Sequence, residues 1–491
     1  MKLRRESTPM KKIFLIGVAV IALGAKAPKA LPTAQPITSS DRTSGAKAHP
    51  QILQEFGGVY ESKQAGYVTK VGRRIALQSG LSNAEGDFTI SLLNSSVNNA
   101  FAVPGGYVYV TRQLLALMNS EAELASVLGH EVGHVAARHS KQREKRARVG
   151  GLGAILATVA GSVLAGDAGA KLGQQLGGTL AQSYVLGFSR DQEYQADDLG
   201  VSYLAKTGYD PFAASSMLAS LASQTSLDTR AQGQKEQSLP SWQRTHPDPA
   251  SRVTRAADRA KTFVPSGKER NRDEFLAAID GMIYGDDPKQ GIVDGQNFSH
   301  PDLRLSFSAP GGYAMSNGTQ AVTVRGSGGQ AQFSGAAYDG DMNAYIAAIF
   351  KAVGGANNTI NYGSISRTNV SGIPAATASA TANGQSGPVV VTVFAYEFAP
   401  NTAYHFLTIT PGNGNPFGSM FDSVRRLSSQ EASAIKPRRI SVVTVKSKDT
   451  IASLAERMAY RDLQVERFLT LNALSSNSTL TSGQKVKLVV Y

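Results

Sequence analysis

The chain has 491 residues, 42% of them hydrophobic and 18% charged, which excludes a disordered chain and suffices for two to four folded domains. It holds no cysteine, so disulfide frameworks, thiolate metal sites and lipidation at a thiol are excluded, with no compartment implied. Net charge is +13, of which residues 1–27 supply +5; the remaining +8 suits an anionic envelope surface, and with no RNA- or DNA-binding module visible nucleic acid is not an expected partner.

Lys2, Arg4, Arg5, Lys11 and Lys12 precede an apolar run at 13–23, followed by Gly24 and Ala25. This is the layout of a secretory signal peptide, too short for a comfortable membrane span. Residues 1–27 therefore predict export to a periplasm or cell envelope, either as a cleaved signal or as a retained anchor. The lack of a cysteine after the apolar run argues against a lipoprotein.

Phe101–Val103 and Tyr107–Val110 alternate in the β period around Pro104-Gly105-Gly106, which predicts a hairpin. Ser120 followed by Glu123 reads as a capping box, and Leu124, Val127, Leu128 and Val135 recur on one side of a helix running to about His139. On that helix lies His130-Glu131-Val132-Gly133-His134. Two histidines four apart project from one face about a turn apart and can reach one Zn²⁺, while the adjoining Glu131 can act as base on water. His139, five residues on, is off that face and is expected to be structural or a partner of a ligand.

A basic run at 141–148 leads into a Gly- and Ala-rich stretch at 149–166, which predicts a buried or loosely packed helical hairpin, with peripheral membrane contact as the alternative. Ser189 and Gln192 form a second capping box, so Glu193 falls in the first turns of a helix ending near Gly208, with Asp197 on the same face. A two-histidine zinc site needs a third ligand, and Glu193 with Asp197 orienting a ligand histidine is coherent. A solvated acidic helix face is the other reading. The polar stretch 225–242 predicts a mobile loop or lid before Thr245-His246-Pro247-Asp248-Pro249 and a helix at 248–260 carrying Arg252.

Taken in order, HEVGHVAARH, EYQAD and THPDP with Arg252 resemble the zinc peptidase family of CAAX prenyl endopeptidases, HtpX and BepA-like periplasmic proteases, over roughly residues 45–265. The resemblance implies His130, His134 and Glu193 as ligands of one Zn²⁺ per chain, Glu131 as general base, and Asp197 and Arg252 supporting them. It also implies that His246 can approach the metal and shut the site; capping of the following helix is the alternative. Asn99, Ala100, Phe101, Tyr107 and Val108 then belong to a strand bordering the cleft, where substrate backbone can add.

Residues 270–430 read as an α+β domain without a catalytic constellation. A helical stripe runs from Phe275 to Ile283, strands are expected at 303–307, 321–324, 389–396 and 404–409, and helices at 342–353 and 419–427. A loose excursion is expected around 373–387, and Asp286-Asp287 makes a turn. Residues 436–491 resemble a LysM module: strand, a helix capped by Asp449, a second helix closed by Asn472, and a last strand after Gly483. Lys448 and Ser482 depart from the usual Gly and Pro of that module.

The fold class is thus α+β multidomain: a mainly helical zincin-type metallopeptidase domain with a small β-hairpin or sheet at 45–265, an α+β domain at 270–430 and a βααβ LysM-like module at 436–491. The function implied is an exported zinc endopeptidase cutting misfolded or stalled envelope proteins, held near peptidoglycan and in reach of envelope assembly machinery. Two alternatives stay open: a chaperone or tether with a gated zinc site, and a hydrolase of peptidoglycan crosslinks.

Overall fold

The computed structural model describes residues 36–81, 84–142, 187–231, 246, 249–263, 268–354, 360–384, 387–412 and 414–491. The export segment 1–27, the stretch 149–166, residues 232–242 of the expected loop, and Thr245, Pro247 and Asp248 lie outside them. No helix among the described residues is long and apolar enough to cross a membrane.

Helix α1 (Ser39–Glu55) opens on a reciprocal capping box between Thr38 and Asp41 and lies against the expected hairpin. Strands β1 (Thr89–Leu93), β2 (Ala100–Val103) and β3 (Tyr107–Thr111) form a sheet in the order β1-β3-β2, with β1 parallel and β2 antiparallel to β3. The turn needs glycine: Gly105 and Gly106 have φ of +88° and +84°, and a Cβ on Gly106 would sit 1.9 Å from the Asp87 carbonyl oxygen. Helices α2 (Lys63–Ala76), α3 (Arg112–Leu117) and α4 (Glu121–Ala136) follow around this sheet, and α2 buries Val68, Val71 and Ile75.

Helix α4 crosses α5 (Arg190–Thr207) at close range because small residues meet there. A Cβ on Gly200 would be 3.1 Å from the His130 backbone nitrogen, and one on Gly133 would be 3.2 Å from the Ala196 carbonyl oxygen. The glycine inside the HExxH pattern thus lets the second helix approach the ligand face. Helix α6 (Ala213–Ala231) and α7 (Pro249–Lys261) complete the layer.

Several local expectations shift. Ser120 accepts from the Glu123 backbone, but the Glu123 carboxylate bonds the Asn119 backbone nitrogen, one residue before the cap, so the box is not reciprocal. Helix α4 ends at Ala136, and Arg138 adopts φ +55°, turning His139 back toward the helix. Residues 225–231 belong to α6 instead of a loop, because Gln224 and Leu227 are buried by packing that composition does not reveal.

The segment 272–284 contributes α8 (Arg272–Ile279) and the short strand β4 (Ile283–Tyr284), so the expected helical stripe ends before Met282. Next come β5 (Ile292–Asp294), β6 (Asn297–His300), β7 (Leu305–Ser308), β8 (Ala314–Asn317), β9 (Val322–Gly326), β10 (Gly329–Ala336), α9 (Met342–Gly354), β11 (Ser366–Val370), β12 (Ile373–Gly384), β13 (Gly387–Ala399) and β14 (Thr402–Pro411). A seven-stranded sheet runs β11-β12-β13-β14-β10-β9-β8, and a four-stranded one pairs β5, β6 and β7 with β15 (Arg425–Arg426). The expected excursion at 373–387 is therefore two long paired strands. Its alanines, weak strand formers by propensity, are the right size under α9: Ala376, Ala378 and Ala380 are buried with Ile346, Ile349 and Phe350. The helix expected at 419–427 is only α10 (Gly418–Asp422), since Arg425 and Arg426 pair with β7.

After α11 (Ser429–Ala434), the last block has the expected strand, helix, helix, strand order: β16 (Arg438–Thr444), α12 (Ile451–Ala455), α13 (Gln464–Leu471) and β17 (Lys485–Val490). Its first helix is capped by Thr450, in a box with Ser453; Asp449 lies one residue too early and accepts from the Lys446 backbone instead. Asn472 closes α13 and Gly483 turns with φ +89°. β4 adds to β16, giving the order β17-β16-β4. The block is also keyed into α3: the fully buried Lys487 Nζ donates to the carbonyls of Ala116, Leu117 and Met118 at 2.7, 3.3 and 2.6 Å.

A candidate metal centre between two crossed helices

His130 and His134 leave α4 one turn apart with their Nε2 atoms 3.0 Å from each other. Across the glycine crossing, Glu193 in the first turn of α5 sets its carboxylate 3.5 Å from His130 Nε2 and 3.6 Å from His134 Nε2. His246 closes the group, with Nδ1 3.1 Å from both Glu193 oxygens and 3.3 Å from His130 Nε2. One donor atom from each of these four residues lies within 4.8 Å of the others.

Each histidine is held from behind. His130 Nδ1 is 2.9 Å from Asp197, which in turn accepts the forked guanidinium of Arg252 at 2.7 and 2.8 Å. His134 Nδ1 is 2.9 Å from His139 Nδ1, and His139 Nε2 is 2.7 Å from Gln195 Oε1. A single set of tautomers satisfies this row: each ring donates outward along it, leaving the His134 Nε2 lone pair directed inward. Phe188 stacks on His134 with centroids 3.9 Å apart and fixes the ring plane.

The electrostatics favour a cation at the centre. Burial works against charge on His130, yet hydrogen bonds to Asp197 and Glu193 outweigh it and raise the pKa to about 10. Burial likewise opposes ionisation of Glu193, but His246 and His130 hold it well below the usual carboxylate range. Burial followed by the charge on His130 keeps His134 neutral, well below its ordinary value. For Asp197, Arg252 overcomes burial and brings the pKa to about 2. Glu131 differs: its burial dominates and pushes the carboxyl upward, and its Oε2 has no hydrogen-bond partner among the described residues.

This donor set fits zinc. Two imidazole nitrogens and one carboxylate, the last held by Arg252 Nη1 at 2.7 Å, are the N/O set of an open zinc site, with Glu131 Oε2 beside them and without a partner among the described residues. The carboxylates that favour a proton on His130 favour a metal ion in its place.

The predicted residues are not all brought together. His130, Glu131, His134, Glu193, Asp197, His246 and Arg252 converge, and Ala100 joins them through its carbonyl, 3.3 Å from His246 Nε2. Asn99 is buried and tied to Thr111 by hydrogen bonds in both directions. Phe101 turns into the packing with Phe56 and Tyr109, and Val108 is buried. Tyr107 and Val108 sit on β3, whose edges are both paired, so among the described residues the edge of this sheet on the His246 side is that of β2. Sequence reasoning missed Gln195 and Phe188; their spacing carries no signal, because the turn at Arg138 and the helix crossing bring them to the histidines.

Residues 62–260 match the model of peptidase family M48, and residues 443–489 match the model of the LysM domain. The chain is 34% identical over 239 residues to the beta-barrel assembly-enhancing protease of Yersinia pestis, covering 47% of this chain and 46% of that protein. It is 29% identical over 281 residues to the protein of the same name in Escherichia coli strain K12, covering 53% and 54%. It is also 31% identical over 210 residues to the mitochondrial metalloendopeptidase OMA1 of Schizosaccharomyces pombe, covering 42% and 57%. The chain thus spans about half the length of the relatives it matches. It carries a domain of peptidase family M48, joined through a sheet-rich region to a C-terminal LysM domain.

Proposed function

We propose that this chain is an exported zinc metalloendopeptidase of the cell envelope that cuts extended segments of misfolded or stalled envelope proteins, with its LysM domain holding it near peptidoglycan. The observation carrying this reading is the convergence of His130, His134 and Glu193 on one point beside the buried, unpartnered Glu131 Oε2. These three residues would hold a zinc ion, which when bound would supply Lewis acidity and a water acidified toward neutrality. Glu131, whose carboxylate burial makes more basic, would take the proton of the attacking water and return it to the departing amine. The edge of β2, unpaired by any strand among the described residues, offers main-chain pairing to a substrate, a mode that would tolerate many sequences.

His246 serves as the gate in this reading. Its Nδ1 faces Glu193, and its Nε2 faces both the Ala100 carbonyl and Glu131, so one ring covers the fourth metal position and the backbone group that would meet a substrate. The names of the bacterial relatives support an envelope setting, and with it assembly machinery as a proposed partner.

The test is Glu131→Gln in the full chain. Zinc content stays at one per chain while casein cleavage falls about 10²–10⁴-fold; cleavage retained at the starting rate overturns the assignment. His246→Ala raises cleavage if His246 is a gate, and lowers it if His246 serves the chemistry. Binding to purified peptidoglycan drops on removal of residues 436–491 if the LysM domain is the tether, and is unchanged otherwise.

A further inference from the structure

Helix α4 ends on a residue that the turn there does not favour. The helix is closed by Ala137, and the next position, where helices commonly pass through the left-handed region on glycine, holds Arg138 with φ +55°. A residue with a Cβ keeps that conformation only when contacts outside the turn hold it there. The contact is with a distant helix: Arg138 Nη2 donates to Asp41 Oδ2 at 2.5 Å, 97 positions away in the first turn of α1. The two side chains are 20% and 16% exposed, so water screens this pair less than an open surface pair. Lys141 also approaches Asp41, but at 4.0 Å and from an exposed position, and contributes less.

We propose that Asp41 is a positioning residue for the metal centre: through Arg138 it locks the turn that sets His139 against the ligand His134. The inference rests on the zinc reading above and extends it to a helix outside residues 62–260, the part that matches the peptidase family. Three observations carry it. Asp41 is a fixed anchor, because its carboxylate also accepts from the Thr38 backbone nitrogen and hydroxyl at 3.1 and 2.7 Å, and its carbonyl oxygen abuts Gly105, where a Cβ would lie 2.7 Å away. The turn does what helix phase cannot: an uninterrupted helix would carry His139 away from the face of His134, whereas the turn leaves the two Nδ1 atoms 2.9 Å apart. The far nitrogen of His139, on Gln195 Oε1 at 2.7 Å, ties the same ring to α5, which carries Glu193. Helix α1 therefore braces the ring behind one ligand from the hairpin side, as α5 braces it from the other.

The test measures zinc and cobalt binding by the full chain, apart from any cleavage. In a chelator competition, Arg138→Gly and Asp41→Asn each weaken zinc binding about tenfold, and the double variant binds no more weakly than either alone, because both break one contact. Charge alone predicts the opposite sign for Arg138→Gly, since losing a cation near the site tightens zinc. Glycine is at ease in the left-handed turn, so this variant stays folded, with a urea midpoint close to that of the unsubstituted chain. The visible absorption of the cobalt-loaded protein, which reports the geometry of the ligands, changes in Arg138→Gly and returns in Arg138→Lys. Unchanged zinc affinity in Arg138→Gly, losses that multiply in the double variant, or a cobalt spectrum identical to that of the unsubstituted chain overturns the proposal. An unsubstituted chain that takes up no zinc defeats the metal-centre reading itself, and the proposal with it.

Discussion

Helix α4 carries dense buried charge at both ends, and the two ends behave differently. At its C-terminal half, His130 and His134 face Glu193 and His246, and their inward Nε2 atoms converge on a point beside a largely apolar cavity. At its N-terminus Glu123 is buried near Lys487 and Arg272, but there each group is used up by backbone. Lys487 Nζ reaches three carbonyls, Arg272 donates to the carbonyls of Asn119 and Lys485, and Glu123 accepts from the Asn119 nitrogen. Burial pulls the Lys487 ammonium well below its usual range and pushes Glu123 up, perturbations of the kind often taken to mark a catalytic site. What separates the two ends is whether donor atoms are left over and share a focus. The first end gathers donor atoms that could hold a metal ion, and the second is the joint by which the LysM domain is keyed to the preceding helices.

The sharpest way to break this distinction is Lys487→Met. It strands three carbonyls and removes a positive charge near the buried Glu123, and is expected to cost about 3–5 kcal/mol of stability, seen as a lower midpoint in urea unfolding. The folded fraction should bind zinc with unchanged affinity; a fall in affinity would mean that the two ends are not separate.

A buried histidine outside both ends provides the next test. His405 on β14, beside the Tyr345 hydroxyl at 2.9 Å, is lowered by burial to about 4. The folded state therefore refuses a proton that the unfolded chain accepts near 6.5. Its contribution is fully present above about pH 6.5 and declines as pH falls toward 4, by about 3 kcal/mol in all. Calorimetry across that window should show the slope in the parent chain and lose it in His405→Gln, with zinc loading irrelevant to the difference.

Asp197→Ala acts at the metal end without touching a ligand. Removing the group that orients His130 should weaken zinc binding about 10–100-fold in a chelator competition, while the urea midpoint of the zinc-loaded protein moves less than in Lys487→Met. The smallest effect expected is that of Ser189→Ala. Losing the cap that opens α5 ahead of Glu193 should cost about 1 kcal/mol and leave the zinc affinity within a few-fold, read by the same two measurements.

Much of the metal end is legible in the chain itself, since helix geometry gives His130, Glu131 and His134 their shared face and the Ser189–Gln192 box places Glu193 in the first turn of its helix. The joint is not legible. Lys487 sits in an alternating strand pattern and reads as an outward lysine; only the docking of β17 onto α3 shows that it is buried. The same holds for residues 373–387, whose small residues suggest a loop until α9 covers them, and for His139, which helix phase sets apart from the ligands until the turn at Arg138 returns it to His134.

The sequence by itself determined several local units: the two helices that carry the HExxH pattern and Glu193, the hairpin before them, and the LysM-like block at residues 436–491. These follow from spacings of two to four residues, where backbone geometry dictates which side chains share a face. Only the tertiary structure decided how those units are used. The glycine crossing of α4 and α5 gathers the donors, His246 arrives from a distant segment to cover them, the two faces of α6 divide between cavity and LysM domain, and a fully buried lysine locks the last strand to the first domain. Contacts between residues 50 to more than 300 positions apart depend on the three-dimensional fit of whole elements, which no local spacing encodes.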